Sequence, residues 1–285
     1  MKLFPQVYRL FNLLSLDISI GAICMAYFIS IVLNVQASFV YYILLGQVVW
    51  VVYLSDHLYD SRKKEGESYR RKFYKKYATL LLYVLIANVL SITVLFLLNY
   101  NIEIIQWSLP ACFITCIYLL ANWRYQFIKK SFYLKELFIA VGYTWGVMTI
   151  PLSFLQSFNN QIWLLGSMVL CMALWNVLII AVFEKKLNDV EGQTTISQWM
   201  TVKQIKFTTT IIYLIFFILA ILNFIWYQIP TDRFIMWIGI GIYMAIPFII
   251  PGFMKMNERY NKWAELVFLL PTVYFIWVYL YSLSV

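Results

Sequence analysis

Leu44-Leu45-Gly46-Gln47-Val48-Val49-Trp50-Val51-Val52-Tyr53-Leu54-Ser55-Asp56-His57-Leu58-Tyr59-Asp60-Ser61-Arg62-Lys63-Lys64 passes from an apolar run, through two acids, into a basic loop. The apolar part has the character of a membrane span, and the cations that follow mark where it leaves the bilayer. Asp56 and Asp60 are four residues apart, so a helix carries both carboxylates on one face. They lie where lipid gives way to charge. Two hard oxygen donors at that depth point to a divalent-metal site at a membrane surface, and so to phosphate chemistry on a lipid.

Composition supports this outward reading. The 285 residues are 63% hydrophobic, 19% aromatic and 12% charged. Soluble domains carry about 25% charged residues, so this chain cannot cover a water-facing surface and reads as one polytopic membrane domain over residues 1–285. A net charge of +9 would draw a soluble protein to nucleic acid. In a membrane chain it reflects topology and anionic lipid, so no nucleic-acid partner is expected. No cleavable signal peptide is expected, because the first apolar run is long and no small-residue cleavage site closes it. Cys24, Cys112, Cys116 and Cys171 all lie in apolar segments and read as small buried hydrophobes.

About 20 apolar residues cross the hydrocarbon core. Runs of that kind predict an all-α protein with nine spans, at 11–33, 38–55, 78–98, 106–122, 137–156, 162–183, 207–227, 233–253 and 264–283. All of the 22 Lys and Arg residues except Arg233 then fall on one side. The positive-inside rule makes that side cytoplasmic, with the amino terminus inside and the carboxyl terminus outside. The cytoplasmic loops are 56–77, 123–136, 184–206 and 254–263. Oligomeric state is not legible.

A second acidic stretch, Glu184-Lys185-Lys186-Leu187-Asn188-Asp189-Val190-Glu191-Gly192, follows the sixth span. On a helix Glu184 and Asn188 share a face, while Asp189 sits about 100° to the side. Mg²⁺ typically takes one or two carboxylates, waters and substrate phosphate oxygens, so two such clusters facing one cavity suit a bridged diphosphate. Spacing alone equally admits solvated interfacial acids or ion-pair partners. Lys129 and Lys130 either bind phosphate as point charges or simply enforce topology. His57, between the two acids, reads as a hydrogen-bonding neighbour and not as a ligand. Interfacial aromatics such as Tyr53, Tyr118, Tyr143 and Trp175 need no special role, although those facing a cavity can stabilise a carbocation. A transporter would need ionisable groups near the midplane. Asp17 is the only acid well inside a predicted span, which favours an interfacial active site.

Taken together, these stretches resemble the UbiA superfamily of intramembrane prenyltransferases. Asp56-x-x-x-Asp60 is similar to the core of its first Asp-rich motif, and Asn188-Asp189-Val190-Glu191-Gly192 to the end of its second. Tyr125-x-x-x-Lys129-Lys130 resembles its Tyr-x-x-x-Lys-Arg stretch, Gly142-Tyr143-Thr144-Trp145-Gly146 its following small-residue turns, and Arg9-x-x-Asn12 its entry into the first helix. Val52 stands where the first motif usually has Asn. Lys185 or Lys186 stands where the second usually has another Asp, and Glu184 is the nearest acid.

The resemblance implies nine helices around a central lipid-open cavity. It implies Mg²⁺-dependent transfer of a prenyl group from a polyprenyl diphosphate to a lipophilic acceptor, such as a quinone precursor or other lipid. Asp56, Asp60, Glu184, Asn188 and Asp189 would hold the metal, and Asp56, Asp60 and Asp189 would be catalytic. Lys129, Lys130, Arg9, Asn12 and Tyr125 would bind diphosphate. The implied location is an integral, multi-pass place in a membrane (the cytoplasmic membrane if the source is bacterial), with the site facing the cytoplasm. A permease, or a catalytically degenerate isoprenoid-binding relative, is the alternative.

Overall fold

A computed structural model of the chain describes residues 3–62, 69–123, 135–157, 159–191, 196, 199–251 and 259–284. Among these, all regular structure is helical. The helices are α1 (Leu3–Leu13), α2 (Leu16–Val32), α3 (Phe39–Asp60), α4 (Tyr69–Lys76), α5 (Ala78–Leu98) and α6 (Ile102–Trp123). They continue with α7 (Lys135–Phe154), α8 (Gln161–Glu191), α9 (Val202–Tyr227), α10 (Thr231–Ile249), α11 (Arg259–Leu266) and α12 (Pro271–Ser284), a 3₁₀ turn (Val267–Leu269) joining the last two.

Seven of these helices are long and apolar enough to cross a membrane, and the bent pair Lys262–Leu269 and Pro271–Ser282 makes an eighth. The chain is an integral, multi-pass membrane protein. The expected first span, 11–33, differs from the structure because the chain breaks at Ser15, whose φ of 56° is left-handed. That break detaches the amphipathic α1 and leaves α2 with 17 residues. The loop expected at 56–77 is also partly helical. α3 continues through Asp60, and α4 fills Tyr69–Lys76. Likewise α8 runs unbroken to Glu191, where a loop was expected from 184.

α8 is the central helix. Of its apolar window 61% is buried, against 11% in α5 and 6% in α6. Buried residues of α2, α7, α8, α9 and α10 form one continuous core with the 3₁₀ turn. Leu90 and Leu97 of α5, Phe113 of α6, Ile218 of α9 and Ile276 of α12 instead present large exposed side chains, as lipid-facing positions do. Small residues allow the closest helix contacts. A Cβ on Gly21 would stand 2.7 Å from the Cβ of Phe268, and one on Gly46 would stand 2.5 Å from the Cδ1 of Ile23. α3 packs on α2 and α5, α6 on α7, and α7 on both α2 and α8. This arrangement leaves a hollow among α3, α5, α6, α7 and α8.

Arg233, which the sequence reading sets apart from the other Lys and Arg residues, has a local structural task. Its Nη1 donates to the Ile31 carbonyl at 2.8 Å and to the Val32 carbonyl at 3.4 Å. A guanidinium on the last carbonyls of α2 satisfies acceptors that the helix leaves open and complements its dipole.

Candidate active site

The hollow has a volume of about 560 Å³. Its walls are apolar for most of their length, from Tyr41, Phe96, Ile104 and Ile150 at one end through Val48, Val49 and Ala111. The polar lining gathers toward the other end, where Asp56, Arg70, Glu265, Asn176 and the Tyr53, Tyr118 and Tyr143 rings contribute.

Asp56 reaches this end because α3 persists one turn beyond the apolar run. One carboxylate oxygen, Oδ1, accepts a hydrogen bond from the Tyr118 hydroxyl on α6 at 3.1 Å. Asp60 lies one turn further along α3, half-buried, outside the cavity lining. His57 points elsewhere. Its Nε2 is 3.1 Å from the Ser15 Oγ, and its ring lies 5.2 Å from that of Tyr74. That makes it a hydrogen-bonding neighbour. The Tyr74 hydroxyl is buried without a hydrogen-bond partner among the described residues. Burial raises its pKa above the ordinary tyrosine value, with the charge of Arg70 opposing.

Beside Asp56 is a polar cluster drawn from four elements. The Asn12 amide Nδ2 donates to Asp17 Oδ2 at 2.6 Å and also to Glu265 Oε2. Arg70 Nη2 donates to Asn12 Oδ1 at 3.3 Å and lies 3.6 Å from Glu265 Oε1. Asn12, Asp17 and Glu265 are all buried. Asn176 on α8 donates to the Ala264 carbonyl at 2.6 Å, which fixes α11 so that Glu265 lines the cavity. Burying two carboxyls requires this much pairing, because an unpaired buried charge costs several kcal/mol on the order of a full desolvation penalty.

Of the diphosphate residues expected from the sequence, Arg9 is exposed with its guanidinium 3.7 Å above the Tyr69 ring, and Asn12 sits between two carboxyls. Tyr125, Lys129 and Lys130 lie outside the described residues. Glu184, Asn188 and Asp189 are positions on the last turns of α8, and their side chains also lie outside what the structure describes. Among the described residues no group of three or more His, Cys, Asp or Glu side chains is arranged around a point. Asp56 and Asp60 nonetheless fit Mg²⁺ in kind, since both are hard oxygen donors on one helix and Mg²⁺ takes one or two carboxylates beside substrate phosphate.

Gly142 to Gly146 fall within the span expected at 137–156, and the structure bears out that helix. They lie inside α7, where Gly142, Tyr143 and Gly146 line the cavity. A Cβ on Gly142 would stand 3.3 Å from Ile114 Cγ2, so the small residues admit α6. The sequence reading also missed Glu265, Arg70 and Asn176. Two of them carried a usable signal, because Asn176 falls mid-span and Glu265 falls just inside the last apolar run.

No protein-family model and no curated protein matches the chain. Among solved structures, the apo structure of a UbiA homolog from Aeropyrum pernix K1 aligns with 90% of this chain and 96% of that one, at a TM-score of 0.62 and 12% identity. The chain shares the fold of that UbiA homolog.

Proposed function

We propose that this chain is an intramembrane prenyltransferase that moves a prenyl group from a polyprenyl diphosphate to a lipophilic acceptor. The observation that carries the reading is the cavity, apolar along its length and ending at Asp56, Arg70 and Glu265. Such a space matches an amphiphile with a long isoprenoid tail and a charged head. The shared fold adds to this support.

In this reading the tail lies along Val48, Ala111 and Ile104, and the diphosphate lies at the Asp56 end, which faces the cytoplasm. Asp56 and Asp60, with Glu184, Asn188 and Asp189, would hold Mg²⁺, which when bound supplies positive charge against the diphosphate. Lys129, Lys130, Arg9 and Tyr125 are proposed to approach the same head group from the cytoplasmic side, while Asn12 positions the neighbouring carboxyls. As the allylic C–O bond ionises, negative charge grows on the leaving oxygen and the Arg70 guanidinium offsets it. The Tyr53, Tyr118 and Tyr143 rings face the carbon left positive, at about 0.5–2 kcal/mol per favourable cation–π contact. The apolar walls exclude water that would otherwise capture the cation.

A permease reading is less well supported. Asp17, buried in the first turn of α2, is tied to Asn12 and does not line the cavity. The polar groups therefore form one end, not a path. Binding without turnover is the second reading, favoured by Lys185 and Lys186 where the resemblance leads one to expect an acid. The deciding experiment incubates purified protein with Mg²⁺, a panel of prenyl diphosphates and membrane lipid extract, and identifies prenylated products by mass spectrometry. Transfer is expected for the native chain and is expected to be abolished in Asp56→Asn and Asp60→Asn. Full activity in either variant would sink the assignment, and tight diphosphate binding without product would favour the second reading.

A further inference from the structure

We propose that the outer face of α4, made by Lys72, Lys75 and Lys76, binds the headgroups of anionic phospholipid, and that this contact seats α4 so that Arg70 reaches the cavity. Binding of this kind needs only a membrane-embedded chain and holds whether or not prenyl transfer occurs.

α4 has two unlike faces. Arg70 and Tyr74 are one turn apart and turn toward the bundle. Arg70 lines the polar end of the cavity and donates to Asn12 Oδ1 at 3.3 Å. Tyr74 is fully buried in a small cluster with Leu54 and Leu58 of α3 and Leu81 of α5. Lys72, Lys75 and Lys76 are spaced i, i+3 and i+4, so they share a face. At about 100° per residue that face lies roughly 120–160° round the helix from Arg70. All three lysines are exposed.

The chain sets the depth of this face. Only Tyr77 separates Lys76 from α5, whose early residues Leu80 and Tyr83 are largely exposed, as lipid-facing side chains are. The lysines therefore stand where hydrocarbon meets headgroups. Exposed Tyr69 and Tyr77 bracket them, as aromatic side chains do at that level. The Lys76 Nζ lies 5.1 Å from the centroid of the Tyr77 ring, which holds the ammonium group beside the boundary.

Charge complementarity names the occupant. Lys72 and Lys75 make no ion pair with a described residue. Three ammonium groups at headgroup depth match phosphate headgroups of net negative charge, and each contributes about fivefold to the preference for an anionic over a neutral leaflet. The helix itself calls for such a partner. α4 has eight residues, a length that is marginal in water, and its Lys72–Lys75 and Lys72–Lys76 pairs repel along the axis. Tyr74 supports it from within the bundle. Anionic headgroups would support it from outside by cancelling the repulsion.

The test places the whole chain in nanodiscs of phosphatidylcholine, alone or mixed with phosphatidylglycerol, and follows hydrogen exchange of the α4 amides by mass spectrometry. In the native chain, phosphatidylglycerol is expected to slow exchange over Tyr69–Lys76 about tenfold, and to slow it less at high salt. The double variant Lys72→Gln/Lys75→Gln keeps good helix formers and should lose most of this protection. Lys203→Gln/Lys206→Gln removes the same charge from exposed positions on the first turns of α9 and should keep it. No slowing in the native chain overturns the inference. Slowing that survives in the α4 variant, or is lost equally in the α9 variant, does so too. Inorganic phosphate added to the phosphatidylcholine discs separates a lipid surface from a soluble-anion site, and equal protection by phosphate also overturns the inference. If the α4 variant does not fold, the native chain decides by itself, since protection that high salt leaves unchanged is not the work of exposed lysines. Each of these failures leaves the transferase reading standing.

Discussion

Asn12 makes the strongest case for reading side chains through their partners. By resemblance it was expected to bind diphosphate, yet its Nδ2 hydrogens go to two carboxyls contributed by α2 and α11. Nothing in the spacing of Arg9 and Asn12 announces this, because Glu265 is 253 residues away in sequence. Asp56 was more legible. An acid closing an apolar run on the basic side has few places to go, and the helix geometry that pairs it with Asp60 is local. Asn12→Ala would leave Asp17 Oδ2 and Glu265 Oε2 without their shared donor. A buried acceptor left unpaired costs about 1–3 kcal/mol, more when charged, so the variant should unfold at a lower temperature in detergent, as read by tryptophan fluorescence. An unchanged transition would mean that the two carboxyls find other donors.

Most elements were readable because hydrophobic length is a strong signal, and the expected runs at 78–98 and 162–183 coincide closely with α5 and the apolar part of α8. The failures were breaks inside continuous apolar sequence. Hydropathy passes smoothly through Ser15 and through Leu270-Pro271, whereas the backbone turns left-handed at the first and bends by 40° near the second. Proline at 271 has no N–H for the preceding turn, which makes that position a natural joint. Helix packing offers a direct check of the close contacts. Gly21→Val would drive a side chain into Phe268, beside the turn that follows Glu265. Overpacking of this kind costs about 1–3 kcal/mol, so reduced thermal stability is expected, along with weakened transfer out of proportion to it. Gly239, which has nothing within 4 Å of an added Cβ, should accept alanine without either effect.

At the scale of the whole molecule, the bundle places one apolar hollow beside one polar end, and this combination has a consequence for chain length. Ala111 lies on α6 between the Ile104 end and the Cys116–Tyr118 end, so its small side chain leaves the hollow continuous. Phenylalanine there would project into the space while touching none of Asp56, Arg70 or Glu265. A short prenyl diphosphate would still seat its head and first isoprene units at the polar end. A longer one would have to displace the ring or fold back, losing burial worth about 0.8 kcal/mol for every methylene returned from the cavity to water, and less where lipid receives it. Ala111→Phe should therefore retain transfer from the shortest diphosphates and lose it progressively with length, in competition assays with geranyl, farnesyl and geranylgeranyl diphosphates read by mass spectrometry. An unchanged length profile, with the variant folded as judged by its melting curve, would place the prenyl tail somewhere other than this cavity. The discriminating quantity is the ratio between long and short donors, because a general loss of stability lowers all three together and leaves that ratio where it was.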